Sequence, residues 1–209
     1  MNAVAIILAA GEAPKLGQPK ALLEHEGGKS FLQSLASTFG KAGCDVLGVV
    51  GKDAERVRAQ HPTMRLVDAE RWQEGPVASL KAGLGAALAE GAQAMLVQPV
   101  DMPAVRASTL KQLLRGLVDG TGLRPEFEGA PGWPLVLSRS GAEALAGTQA
   151  GTLDAAAAPL GLKRVVVKDP GVVVNINTPE IYERLLGFAP RLAPPPKRRG
   201  KVLQHATGP

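Results

Sequence analysis

Apolar residues in this chain fall into short unbroken runs separated by stretches with a helical period. Val4–Leu8, Val46–Val50 and Ala94–Gln98 are nearly continuous apolar runs, the pattern of strands buried on both faces of a parallel sheet. A shorter run, Arg65–Val67, predicts a third strand between the last two. Between them the spacing predicts helices. One starts at Ser30, a good N-cap, and ends near Gly40 or Gly43. Others cover Asp53–Gln60, the stretch from the Gly75 loop to about Glu90, and Ser108–Leu117 with Ser108 as cap. Strands alternating with helices predict a three-layer α/β/α, Rossmann-like fold: a doubly wound, mostly parallel sheet with right-handed crossovers.

The pattern loosens further on. Residues 121–134 are rich in Gly and Pro and read as loop. Leu135–Leu137 predicts a short strand, Ser140–Leu145 and Thr152–Ala158 short helices, and Lys163–Lys168 another strand. Val172–Ile176 leads to a last helix, Pro179–Leu186, with Thr178 as N-cap and Pro179 in the first helical position. From residue 189 the composition turns Pro-rich and then basic. The chain therefore divides into one domain, residues 1–188, and a flexible tail, 189–209.

Composition narrows the chemistry. In 209 residues, 45% are hydrophobic but only 3% aromatic, so the core is built from Ala, Val and Leu. The net charge of +5 owes much to Lys197, Arg198, Arg199 and Lys201 in the tail, which argues against a nucleic-acid-binding face on the fold itself. With Cys44 as the only cysteine, no disulfide within the chain and no Cys-based metal site can form, which fits a reducing, cytoplasmic setting. The apolar run at the N-terminus is too short for a signal peptide or membrane span. His25, His61 and His205 are scattered, with no triad or His-x-x-His spacing.

What remains are strand ends. The loop after the first strand carries Gly11, Gly17, Lys15 and Lys20. Small residues let backbone N–H groups approach an anion, and lysines neutralise phosphate charge. It is neither a P-loop nor a GxGxxG turn, and a solvated connection is the plain alternative. Asp101 follows the fourth strand between Pro99 and Pro103, where open α/β sheets bind ligands and where a carboxylate could hold Mg²⁺. A turn-capping Asp is the competing reading. Asn175 and Asn177 are either amide-oxygen ligands or Asx-turn caps. Gly75 and Ser79 are either ligand contacts or a loop and cap. Trp72 and Trp133 lie in loops, where packing competes with stacking on a ligand.

Taken in order, these segments resemble one family. LAAGEAPKLGQPKALL (8–23) resembles the LAAG-x-S-x-R-x-G-x-x-K signature of nucleotidyltransferases that include the molybdenum cofactor guanylyl- and cytidylyltransferases. EGPVASLKAGL, LVQPVDMP, GAPGWPLVL and NINTPEIY resemble the family's later segments, in the same order. The resemblance implies the nucleotide-diphospho-sugar transferase type of fold. It implies transfer of a nucleoside monophosphate from CTP or GTP to a phosphorylated acceptor such as molybdopterin, with release of pyrophosphate. It places Leu8, Ala9, Ala10 and Gly11 near base and ribose, Gly75 and Ser79 on the nucleoside, Lys15 and Lys20 on the phosphates, and Mg²⁺ on Asp101 with Asn175 and Asn177. It also implies a molybdoenzyme or its chaperone as a further partner. Leu8-Ala9-Ala10-Gly11 leans toward the cytidylyl branch. The chain departs from the pattern at Lys15, where Arg is usual, at Trp133 in place of His, at Thr148 in place of Asp, and at Asn175 and Asn177, where Asp is common. These departures bring in a sugar- or alcohol-phosphate acceptor, or a nucleotide-binding protein without turnover, as alternatives.

Overall fold

The computed structural model describes residues 2–117, 120 and 122–195. Strand β1, Ala3–Ala9, is buried along nearly its whole length. It pairs in parallel with β2, Asp45–Val50, on one side and β4, Ala94–Pro99, on the other. β3, Leu66–Asp68, extends the parallel part beyond β2. The far side is mixed. β7, Leu135–Ser138, runs antiparallel to β4, and β5, Gly122–Phe127, runs antiparallel to β7. β5 also pairs with the short β6, Ala130–Pro131, and in parallel with β8, Lys163–Val166. The order is β3-β2-β1-β4-β7-β5-β6, with β8 on β5.

Alternate residues of β1 feed two cores. Ala3, Ala5 and Ile7 face a cluster with Phe31, Leu32, Leu35 and Phe39 of α1 (Phe31–Lys41), Leu110 and Leu113 of α4 (Ala107–Gly116), and Tyr182 of α7 (Pro179–Leu186). Val4, Ile6 and Leu8 face Val77, Leu80 and Leu84 of α3 (Pro76–Ala89) and Ala142 and Leu145 of α5 (Arg139–Ala146). The two remaining short helices, α2 (Ala54–Gln60) and α6 (Leu153–Ala157), join the first and second clusters respectively. The fold is thus the expected three-layer one. Each fully buried Ile or Leu in these layers contributes roughly 2–3 kcal/mol, so the continuous apolar strands are the main source of stability.

Local signals set many of the helix ends. Ser30 Oγ accepts from Gln33 N at 3.1 Å, Thr152 Oγ1 from Ala155 N at 3.2 Å, and Thr178 Oγ1 from Ile181 N at 3.4 Å. Helix α4 departs from expectation. It starts at Ala107, and Ser108 does not cap it. Asp169, distant in sequence, accepts from Arg106 N at 2.9 Å and from Thr109 Oγ1 at 2.7 Å, taking over the cap's role.

Residues 122–127 and 130–131, expected as loop, form strands. Leu123 and Pro125 are buried while Arg124 and Glu126 are less so, a period-two pattern masked by the surrounding Gly and Pro. Pro125 lacks an N–H, but its carbonyl accepts from Gly132 N at 2.8 Å. The segment expected to be a free tail from residue 189 is tied down over its described part, 189–195. Glu24 N donates to Arg191 O and Ala193 N to Leu22 O, each at 2.8 Å, and Arg191 forks onto the Glu24 carboxylate at 2.7 and 3.0 Å. Paired backbone groups, absent from the composition, hold it there. The rest of the expected tail, 196–209, lies outside the described residues.

Candidate active site

β1 and β4 are neighbours, yet their connections leave in opposite directions across the sheet, since β2 and β3 lie on one side of β1 and β7 and β5 on the other. A doubly wound sheet opens a crevice at such a switch point, outside the carboxyl ends of its strands. Here a cavity of about 570 Å³ opens, and its wall includes Leu8, Ala9, Ala10 and Gly11 after β1, Lys20, Gly75 and Ser79, and Asp101 after β4. A Cβ at Gly11 would meet no atom within 4 Å, so the backbone there is open to an occupant of the cavity.

Gly75 joins the wall because it adopts φ 108°, a left-handed conformation suited to glycine, and so turns the chain into α3. Pro76 takes the first helical position, where its missing N–H costs nothing. The positive end of the α3 dipole therefore meets the cavity and favours an anion there.

At the β4 end, three side chains form a compact polar cluster. Lys20 Nζ donates to Asp101 Oδ2 at 2.7 Å and to Asn177 Oδ1. Ile176 N donates to Asp101 O at 2.8 Å, which ties the strand-end turn to the segment carrying Asn177. Asp101 keeps only 15% of its side chain exposed, and its Oδ1 is buried without a hydrogen-bond partner. A carboxylate and an amide oxygen that already share one cation through Oδ2 and Oδ1, with the second carboxylate oxygen unpartnered, make an oxygen donor set of the kind hard divalent ions take. The residues therefore fit Mg²⁺ or Mn²⁺, with Asp101 as the one carboxylate. Among the described residues no group of three or more His, Cys, Asp and Glu is placed to hold a metal.

Three of the expected site residues do not line the cavity: Asn177 reaches it only through Lys20, and Lys15 and Asn175 lie away from it. Lys15 stands exposed in the loop and acts on Glu180 instead. The Glu180 carboxyl is lowered first by its hydrogen bond to Thr178, with the Lys15 charge a smaller contribution. Asn175 is exposed, and only Asn177 of the two asparagines reaches the Lys20–Asp101 pair. Trp133 is 7% exposed and lies under the Arg124 guanidinium, 5.3 Å from the ring centre, where it packs and does not line the cavity. Cys44 is buried, and burial pushes its thiol up to about 11, which keeps it neutral.

Other residues were missed. Gln98 is fully buried, and its amide N–H donates to Met102 O at 2.9 Å, bracing the turn that presents Asp101. A polar residue at the end of an apolar strand was the available signal. Asp53 and Leu153 also line the cavity, beside half-buried Trp72, a loop aromatic for which packing and stacking were the two readings.

Residues 5–167 match the MobA-like NTP transferase domain. A molybdenum cofactor guanylyltransferase from Acidiphilium cryptum is 29% identical over 184 residues, 83% of this chain and 89% of that one. A nicotine blue oxidoreductase from Paenarthrobacter nicotinovorans is 35% identical over 113 residues, 52% of this chain, and the chain spans only 54% of that relative's length. A Mycobacterium tuberculosis protein, crystallised in complex with manganese, has the same fold at a TM-score of 0.70 and 22% identity, covering 90% of this chain and 99% of that one. No helix among the described residues is long and apolar enough to cross a membrane. The chain belongs to the MobA-like NTP transferase family.

Proposed function

We propose that this protein transfers a nucleoside monophosphate from GTP or CTP to molybdopterin, in the cytoplasm, with release of pyrophosphate and with Mg²⁺ as the metal. The observation that carries the reading is the buried, unpartnered Oδ1 of Asp101 at the charged end of a cavity whose other wall is the open backbone of Leu8–Gly11. In this reading the 8–11 backbone lies along the base and ribose, and Gly75 and Ser79 hold the nucleoside. Asp101 and Asn177 would hold the metal ion, which supplies neutralisation of the triphosphate charge. Lys20 releases its hold on Asp101 Oδ2 and donates to the phosphates, so its charge stays in the site while its partner changes.

An acceptor phosphate oxygen attacks the α-phosphorus, a new P–O bond forms, and the bond to the bridging oxygen breaks with its electron pair leaving on pyrophosphate. Such a displacement requires alignment and charge stabilisation, and needs no nucleophilic side chain. The name of the Acidiphilium relative favours GTP, whereas Leu8-Ala9-Ala10-Gly11 leans to CTP. A molybdoenzyme or its chaperone would receive the product. The test is pyrophosphate release from each of the common nucleoside triphosphates with Mg²⁺ and molybdopterin. Release with GTP or CTP and formation of the matching dinucleotide is expected. No release with any of them sinks the reading.

A further inference from the structure

We propose that Trp72 is the nucleobase platform of the cavity and that its indole stacks on the base of the bound nucleotide. The inference rests on the nucleotide reading above and deepens it. The cavity runs along the carboxyl ends of β2, β1 and β4. Trp72 follows β3 and rests against Gly51 at the end of β2, and Asp101 follows β4. With strands about 4.8 Å apart, β2 and β4 are separated by about 10 Å, room for a ribose and a phosphate between an aromatic end and a charged end.

The indole is seated by an unusual contact. A Cβ on Gly51 would lie 2.7 Å from Trp72 Cγ and 2.7 Å from Ala10 O. Only a residue without a side chain leaves the space in which the stem of Trp72 lies beside the backbone of the 8–11 loop. The turn is closed on both sides, by Trp72 N on Ala69 O and Gly75 N on Trp72 O, each at 3.1 Å. The ring is half-buried and held in place, and it forms part of the cavity wall. Among the described residues none accepts a hydrogen bond from its indole N–H, and no aromatic ring packs on it. Trp133 differs in burial and surroundings: it is buried, covered by Arg124 and not part of the cavity wall. A π-face against a base gains stacking energy with either a purine or a pyrimidine, so Trp72 supplies affinity for the nucleoside part while Lys20 and Asp101 act on the phosphate part.

The chain has two tryptophans, and that makes the test direct. The full-length protein is titrated with GTP, CTP and inorganic tripolyphosphate, each with Mg²⁺, following both calorimetry and tryptophan emission. The nucleotides are expected to quench the emission, and tripolyphosphate to leave it unchanged. Trp72→Phe should remove the quench and keep nucleotide binding, since a ring remains. Trp72→Leu should weaken nucleotide binding about tenfold and leave tripolyphosphate binding as it was. The proposal is overturned if the quench persists in Trp72→Phe, if tripolyphosphate quenches equally, or if Trp72→Leu binds nucleotide as tightly as the natural chain. In those cases nucleotide binding itself stands. If the natural chain binds no nucleoside triphosphate, this proposal and the transferase reading fall together. Should Trp72→Leu fail to fold, the Trp72→Phe emission alone decides.

Discussion

Asp101 and Asp169 are both largely buried carboxylates near strand ends, one in the parallel half of the sheet and one in the mixed half, and they are used in opposite ways. Asp169 is 2% exposed and accepts from Arg106 N, Thr109 Oγ1 and Gly171 N at 2.7–3.0 Å. Its acceptor capacity is committed to holding α4 against the C-terminal segment. Asp101 has one oxygen on Lys20 and the other buried with no partner. The parallel half can leave that oxygen unmatched because continuous apolar strands already stabilise it. The mixed half, with shorter strands interrupted by Gly and Pro, is held to α4 by the buried Asp169. A buried carboxylate with all partners made reads as structure, and one left open reads as chemistry.

Four substitutions or conditions test that contrast. The largest effect is expected from Asp101→Asn, which should lower pyrophosphate release by about a thousandfold while the melting temperature changes little. A large loss of stability with activity retained would erase the distinction between the two aspartates. Asp169→Ala should do the reverse: it leaves three donors without their acceptor and should cost about 3 kcal/mol in urea unfolding, with the activity of the folded fraction kept. Gln98→Met is expected to lower kcat about tenfold, because the turn carrying Asp101 loses its brace, with a smaller change in stability. If activity is unchanged, Gln98 has no part in positioning Asp101.

The smallest effect concerns pH. His61 is held below the ordinary histidine value of 6.5 by burial, and so is His25, where burial outweighs the opposing charge of Glu26. Their ring nitrogens meet Ser30 Oγ at 3.0 Å and Ser34 Oγ at 3.1 Å, both in the first turns of α1. Because the unfolded chain takes up these protons first, the stability they contribute is full above the unfolded value and is lost as pH falls through the lower folded values. The melting temperature should therefore drop between about pH 8 and about pH 5, and His25→Gln with His61→Gln should flatten that drop. A drop unaffected by the pair would move the acid sensitivity elsewhere.

Legibility in the sequence follows the same division. β1, β2 and β4 were readable because a strand buried on both faces must be apolar throughout, and Ser30 and Thr178 were readable as caps because each bonds a donor three residues on. β5 was not, since its partner β8 lies far along the chain and its pattern is masked by Gly and Pro within and around it. Within the site, the strand-end positions of Gly11 and Asp101 were visible as a pattern, whereas the exclusion of Lys15 and Asn175 from the cavity was not.

The sequence by itself determined the layered α/β order and the chemical types gathered at the strand ends, because burial and capping act over a few residues. Only the tertiary structure decided which of those groups meet. Lys20, Asp101 and Asn177 come together, and Trp72 is set over Gly51, because strands distant in the chain are adjacent in the sheet, and a side chain's partners depend on that adjacency.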